Sequence, residues 1–355
     1  MKPSLRPINL KELAQKLSLS PATVSRIVNG QAAKYRIAEE TQKRVLHAAA
    51  AHSYSANNVA RSLREKRTYT IGIILPEISE GYSTLVLSGI EDELLKDGYF
   101  YFVVSHRHRE DLLKDYPRMM LSRSVEGIIA IDTLLEQDLP VPVVSVSGHR
   151  RREGVINIEL DHHVAAELGL IHLKSLGHRK IAFIKGQSFS SDTHARWQAI
   201  MKAAKKLEID IDPRLVVQLE SPDAGPGPGH EVTKKLIDAD VPFTAIFAFN
   251  DVTAVGAILA LREAGLKVPK DISVLGFDDV LAASINHPAL TTIHQPLRSM
   301  GQEAASTLLG LIRNDIPHPR PKSITVHPTL VVRKSTGHAS EGSNHFHSKR
   351  IVEEG

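Results

Sequence analysis

Residues 20–29 place a guanidinium, three hydroxyls, a small methyl and an amide within about three helical turns, as Ser-Pro-Ala-Thr-Val-Ser-Arg-Ile-Val-Asn. A guanidinium can fork onto guanine O6 and N7, and a methyl packs against that of thymine. These are the roles open to Arg26 and Ala22. The hydroxyls of Thr23 and Ser25 suit phosphate oxygens, though Thr23 stands equally well as part of a helix cap. Val24, Ile27 and Val28 share one helical face, which leaves Pro21, Ala22, Ser25, Arg26 and Asn29 pointing outward. The chemistry on offer is base and phosphate recognition; the plain alternative for Arg26 is a solvated surface arginine.

A second polar set lies in the longer C-terminal part. Residues 77–82, Ser145, Ser147, residues 186–196, Asn250, Asp251, Asp278 and Asp279 each follow a short apolar run. In open α/β sheets, ligands bind beyond the carboxyl ends of strands. Hydrogen-bonding side chains there suit a polar small molecule in a cleft. Asp251 and Asp279 also precede helical patterns, so a helix N-cap is the competing role for both.

The elements that must carry the first set are two short helices. Asn9 and Glu12 form a capping-box pattern ahead of Leu10, Leu13, Ala14 and Leu17. Ser20 is a good N-cap and Pro21 suits the first helical position, where its missing N–H costs nothing. Gly30 marks the helix end. Two helices across a three-residue turn make a helix-turn-helix, although an ordinary αα-hairpin has the same pattern. A third helix is expected from residue 38 to about 52, with Val45, Leu46 and Ala49 facing inward. In that frame the second helix enters the major groove.

Residues 54–64 are short and basic. A helix of this length is marginal in water and can order on DNA. Leu63 is then an exposed apolar side chain suited to a wedge between base pairs in the minor groove.

Charge supports the division. The 355-residue chain carries a net charge of only +4, but residues 1–68 hold 13 Lys/Arg against 4 Asp/Glu, while the remainder holds 31 against 36. A basic module on a near-neutral body points to nucleic acid. The absence of Cys excludes disulfides, thiol nucleophiles and thiolate metal sites. No run approaches the roughly 18 apolar residues of a membrane span, and residues 1–10 lack a secretory apolar region. A cytoplasmic protein with no membrane partner is expected.

From residue 70 short apolar runs alternate with amphipathic stretches. Strands are expected at 71–75, 99–104, 127–131, 143–146, 180–184, 215–217, 245–249 and 272–277. Helices are clearest at 85–96, 164–176, 194–207, 252–264 and 297–312. That alternation predicts βαβ units and parallel sheets, in two α/β subdomains. Trp197 is read as core, and residues 225–229, Gly-Pro-Gly-Pro-Gly, as a loop rather than a phosphate-binding fingerprint.

The run from Asn9 through Ser20-Pro21-Ala22-Thr23-Val24-Ser25-Arg26-Ile27-Val28-Asn29-Gly30 resembles the headpiece of the LacI/GalR family of bacterial repressors. So do Glu39-Glu40-Thr41 with Arg44-Val45, and the hinge run Val59-Ala60-Arg61-Ser62-Leu63. Ala56 stands where many members carry Pro, and a few residues around Ala32 to Arg36 are additional. The body resembles the family at residues 176–182, 249–257, 268–279 and 288–296. The resemblance implies a helix-turn-helix headpiece and a body like that of periplasmic sugar-binding proteins, with an effector between two subdomains. By motif position it implies Arg196, Asn250 and Asp278 as effector contacts, with Tyr82 where pocket residues occur; His162 stands where many members carry Asn.

The expected organisation is a headpiece over 1–53, a hinge helix and linker over 54–69, an effector-binding and dimerisation body over 70–335, and a disordered tail over 336–355. The expected DNA contacts are Pro21, Ala22, Thr23, Ser25, Arg26 and Asn29, with Asn57, Ala60, Arg61 and Leu63 from the hinge. The expected effector contacts are Tyr82, Ser147, Arg196, Asn250 and Asp278. A sugar-like effector, a pseudo-palindromic double-stranded operator and a homodimer follow, with no catalytic residues, cofactor or metal. The tail histidines have no helical or strand context to fix a metal. A plain sugar-binding protein and a doubly wound enzyme are the competing classes. The basic headpiece argues against the first. The lack of a phosphate loop or a paired nucleophile and base argues against the second.

Overall fold

The computed structural model describes residues 8–28, 30–52, 54, 67–78, 81–148, 152–315 and 322–340. The chain forms two compact units, residues 1–68 and 69–355.

The first unit holds α1 (Leu10–Leu17), α2 (Pro21–Val28) and α3 (Glu39–Ala51). The Asn9–Glu12 capping box closes reciprocally at 3.0 and 2.9 Å, and the Thr23 N–H donates to Ser20 Oγ at 3.0 Å. Leu13, Ala14, Val24, Ile27, Ala32, Val45 and Ala49 form the core. Leu46, expected inward, is 51% exposed. One helical step is 100°, so it falls outside the narrow stripe set by Val45 and Ala49.

The second unit holds two six-stranded sheets. The first runs in the order β11 (Ser323–Val326), β5 (Ile156–Leu160), β4 (Val143–Val146), β3 (Gly127–Ile131), β1 (Thr70–Leu75), β2 (Phe100–Ser105). The second runs β12 (Thr329–Val331), β10 (Thr291–His294), β9 (Ser273–Asp278), β8 (Ala245–Phe247), β6 (Ile181–Lys185), β7 (Val216–Gln218). All pairs are parallel except β10 with β12. Both sheet faces are covered, which is why β1 and β3 read as continuous apolar runs.

On the first sheet lie α4 (Tyr82–Lys96), α5 (Glu110–Ser122) and α11 (Leu297–Arg313); on the second lie α6 (His162–Ser175), α7 (Ser191–Lys206), α8 (Gly227–Asp238) and α9 (Asp251–Glu263). The short α10 (Leu281–Ile285) follows β9. The chain passes between the sheets at β5–α6, β10–α11 and β11–β12, each time within two residues. Gly89 of α4 and Gly301 of α11 let these helices touch, because a Cβ on either would overlap the Arg298 or Val86 carbonyl.

Three further expectations change. The Gly-Pro-rich run at 225–229 is half helix: α8 starts at Gly227, and Gly229 and Gly256 permit its close crossing with α9. Strands β5, β10, β11 and β12, together with α5 and α8, add to the elements read from periodicity. The polar tail is not loose at residues 336–340. Ser335 is fully buried, with its hydroxyl donating to the Val274 carbonyl at 2.6 Å, and the Ala339 N–H donates to Leu176 O at 2.8 Å. His178 clamps the same segment, with Nδ1 at 2.9 Å from Thr244 Oγ1 and Nε2 at 3.0 Å from the Gly337 carbonyl. Backbone hydrogen bonding, invisible to composition, decides this.

Candidate functional site

Both sheets switch direction once, at β1–β3 and at β6–β8. The loops leaving the carboxyl ends of these strands face one cleft of about 160 Å³, placed where open α/β sheets take their ligands. Pro76, Glu77 and Asp132 enter from the first sheet, and Gln187, Phe189, Asn250 and Asp278 from the second. Helix starts add Tyr82, Asp192 and Arg196.

Arg196 is the centre. It is 4% exposed, and its guanidinium carbon lies 3.6 Å from the Phe277 ring centroid and 4.5 Å from that of Phe249. Two rings on a guanidinium are favourable because the ring faces carry negative potential. In its plane, Nη1 donates to the Phe249 carbonyl and Nη2 lies 3.3 Å from Asp192 Oδ2 and 4.0 Å from Asp278 Oδ1. Asp192 and Arg196 are one helical turn apart, the spacing at which side chains meet. His162 packs behind, with Nε2 3.5 Å from Asp192 Oδ1.

Asp278 ends β9 in a left-handed conformation, φ 106°, which for a non-glycine residue marks a strained position. Gln295 Nε2 donates to it at 2.5 Å. Burial pushes its carboxyl up to about 7, with Asp192 adding to the rise and Arg196 and Gln295 opposing it. Asp251 is fully buried and rises to about 8, first through burial and then through Asp278.

Tyr82 opens α4 and lines the cleft; its hydroxyl donates to Ser147 Oγ at 2.5 Å. Burial, with Asp192 and Asp132 nearby, holds the phenol well above its usual range. Asn250 caps α9 through Oδ1, which accepts the Thr253 N–H at 2.8 Å; the cap leaves its side-chain NH2 for the cleft. Thus Tyr82, Arg196, Asn250 and Asp278 converge. Ser147 does not line the cleft. It sits behind Tyr82, left-handed at φ 56°, as the residue that tyrosine leans on.

The N-cap role considered for Asp251 and Asp279 does not hold. Asn250 is the cap, while Asp251 reaches across to the Val280 N–H at 2.8 Å and the Thr292 hydroxyl at 2.6 Å. Asp279 pairs with Arg333 at 2.6 Å and His294 at 3.0 Å. Trp197 packs edge-on against Phe183 as core.

The cleft contains residues that sequence reasoning does not single out. Asp192 is signalled by its spacing from Arg196. Asp132 and His108 carry no local signal, because fold alone brings them to the mouth. There His108 stacks on Phe189 with ring centroids 4.0 Å apart, and burial lowers its imidazole, favouring the neutral form.

In the headpiece, Pro21, Ala22 and Arg26 are exposed on α2, while Thr23 and Ser25 are half-buried. The Thr23 hydroxyl lies 2.8 Å from Ser20 Oγ, so it takes part in the cap. Asn29, Asn57, Ala60, Arg61 and Leu63 lie outside the described residues.

Comparison with known proteins returns two family matches: bacterial regulatory proteins of the lacI family over residues 9–57, and a periplasmic binding protein-like domain over residues 170–336. The chain is 32% identical to the HTH-type transcriptional repressor PurR of Haemophilus influenzae, over 92% of this chain and 98% of that protein. The PurR of Photorhabdus laumondii is also 32% identical, over 92% and 96%. Among solved structures, a lac repressor dimer bound to operator and the anti-inducer ONPF superposes with TM-score 0.82 at 27% identity, covering 94% of this chain and all of that one. A regulator from Enterococcus faecium with bound ribose superposes with TM-score 0.66 at 26% identity, covering 76% and 100%.

Proposed function

The chain belongs to the LacI family of bacterial regulatory proteins, and from that premise we propose that its effector is an uncharged, sugar-like polyhydroxyl compound held at Arg196 and Asp278. The protein is a sequence-specific DNA-binding transcriptional repressor, not an enzyme, and it acts as a dimer on operator DNA under the control of a small molecule.

The observation that carries the effector class is the charge already spent inside the cleft. The Arg196 guanidinium, the one buried among the described residues, is answered by Asp192, Asp278 and the Phe249 carbonyl. Glu77 and Asp132 add further acidity at the mouth. Among the described residues an anionic ligand gains no free cation there. Hydroxyls, which both donate and accept, match the carboxylates and the Asn250 amide, and the Phe249, Phe189 and Tyr82 rings match the C–H face of a sugar. The ribose bound by the Enterococcus faecium relative supports this class.

The headpiece reading follows the same family logic. Residues 1–53 form the reader, with Pro21, Ala22, Arg26 and Asn29 at base edges and Thr23 and Ser25 near phosphates. Residues 54–69 form the hinge, with Asn57, Ala60, Arg61 and Leu63 in the minor groove. Two headpieces of a dimer then read a pseudo-palindrome. Effector binding changes operator affinity only through its different affinity for the two body conformations. The chain works in the cytoplasm; none of its described helices is long and apolar enough to cross a membrane.

The test is a thermal-shift screen of the full chain against neutral sugars and polyols, sugar acids, sugar phosphates and nucleobases, since bound ligand stabilises the native state. A shift confined to neutral polyhydroxyl compounds is expected. A shift from a sugar phosphate or a nucleobase alone overturns the assignment.

A further inference from the structure

We propose that Tyr35, in the turn after the recognition helix, is a positioning residue for operator reading: its ring fixes the Arg26 guanidinium in the orientation that meets a guanine. The Arg26 guanidinium carbon lies 3.9 Å from the Tyr35 ring centroid. That is face contact, well within the range at which a cation is held by an aromatic ring.

The turn that carries the ring is itself fixed. The Gln31 N–H donates to the Arg26 carbonyl at 2.8 Å, so the turn starts on the residue it serves. Ala32 is buried in the headpiece core. The Arg36 N–H donates to Ala33 O at 3.1 Å and the Ile37 N–H to Ala32 O at 3.0 Å. Gln42 Nε2, from α3, holds the Ile37 carbonyl at 2.7 Å. Tyr35 is therefore presented by a closed loop rather than a free one, and it stays 43% exposed.

Stacking and base reading do not compete. The ring occupies one face of the guanidinium, whereas the N–H donors that fork onto O6 and N7 lie in its plane. No carboxylate among the described residues pairs with Arg26 to draw those donors away. A free arginine loses much rotamer entropy on binding; one already stacked loses less, so the contact acts as preorganisation. The stacked turn coincides with the few residues that are additional around Ala32 to Arg36.

This inference rests on Arg26 as a base reader, and the experiment separates the two. Wild-type protein selects its operator from a random duplex library. Affinities for that operator and its single-base variants are then measured for wild type, Arg26→Ala, Tyr35→Ala, Tyr35→Phe and the double variant Arg26→Ala/Tyr35→Ala. Arg26→Ala is expected to relax one base pair per half-site. Tyr35→Ala should cut discrimination at that same pair about three- to tenfold and leave other positions alone. Tyr35→Phe, which keeps the ring, should retain discrimination, and Tyr35→Ala should add nothing in the Arg26→Ala background. Equal loss on every sequence, the same loss in both backgrounds, or a Tyr35→Phe defect as large as that of Tyr35→Ala overturns the role of Tyr35 while leaving Arg26 as a reader. If Arg26→Ala relaxes no base pair, both readings fall.

Discussion

Ser191 Oγ lies 2.8 Å from the Asp132 carboxylate and 2.7 Å from the Ser147 carbonyl, so the one hydroxyl proton of a second-subdomain serine is shared between two loops of the first. Ser190 Oγ approaches the same carboxylate at 3.3 Å. This seam closes the cleft beside Tyr82 and Arg196. It sits where the subdomains must part if the ligand is to enter.

Ser191→Ala removes that fastening without enlarging any side chain. A hydrogen bond to a charged group contributes about 1.5–3 kcal/mol. Effector affinity, read by calorimetry, should fall by about tenfold or more, through loss of the closed form. Unchanged affinity would mean that closure does not depend on this seam.

Arg196 is predicted to be as much a structural as a ligand-binding residue. Arg196→Ala leaves Asp192 and Asp278 buried without their cation, a situation that costs about 3–5 kcal/mol. The melting temperature should drop, and adding Asp192→Asn should restore part of it. Additive losses in the double variant would show that the Asp192–Arg196 contact carries no coupling.

The apolar runs of β1 and β3 disclosed the parallel sheets directly, and Arg196, Asn250 and Asp278 were reachable from motif position. Strand β10 was not legible, because Thr291 and Thr292 are polar yet fully buried. Their hydroxyls are satisfied by Thr336 and Asp251, partners 45 and 41 residues away. Asp132 was hidden for the same reason: nothing near it in sequence indicates a partner 59 residues on. Helix α5 was masked by an internal proline, Pro117. For Thr291, Thr292 and Asp132 a contact between distant residues decides what local pattern leaves open; for α5 a residue that usually breaks helices hides an otherwise amphipathic stretch.

Residues 335–339 should behave as part of the body. Ending the chain after Lys334 would strip the Ser335 partners from the Val274 and Thr291 N–H groups. Each buried donor left unpaired costs about 1–3 kcal/mol, so the melting temperature should fall by about 5–10 °C. Ending it after Ser340 keeps these bonds and should cost less. Equal behaviour of the two truncations would show that the segment contributes nothing to stability.

The buried acidic pair of Asp278, which lines the cleft, and Asp251 behind it should make body stability fall as pH rises. Burial pushes the Asp251 and Asp278 carboxyls up to about 8 and about 7 in the folded protein, against about 3.8 for a solvent-exposed aspartate. Between those limits the native state holds protons that the unfolded chain has released. Stability therefore declines with increasing pH from about 4 toward 8 and levels off above, the reverse of a salt-bridged carboxylate. Asp251→Asn keeps an oxygen for the Val280 N–H and removes one titrating group. Its melting temperature should vary less with pH over that window, and should exceed that of the parent above pH 8, where the parent must ionise a buried acid beside Asp278. A variant whose pH profile parallels the parent at every point would mean that Asp251 is already ionised at neutral pH, with Thr292 and Val280 supplying enough hydrogen bonding to hold the charge.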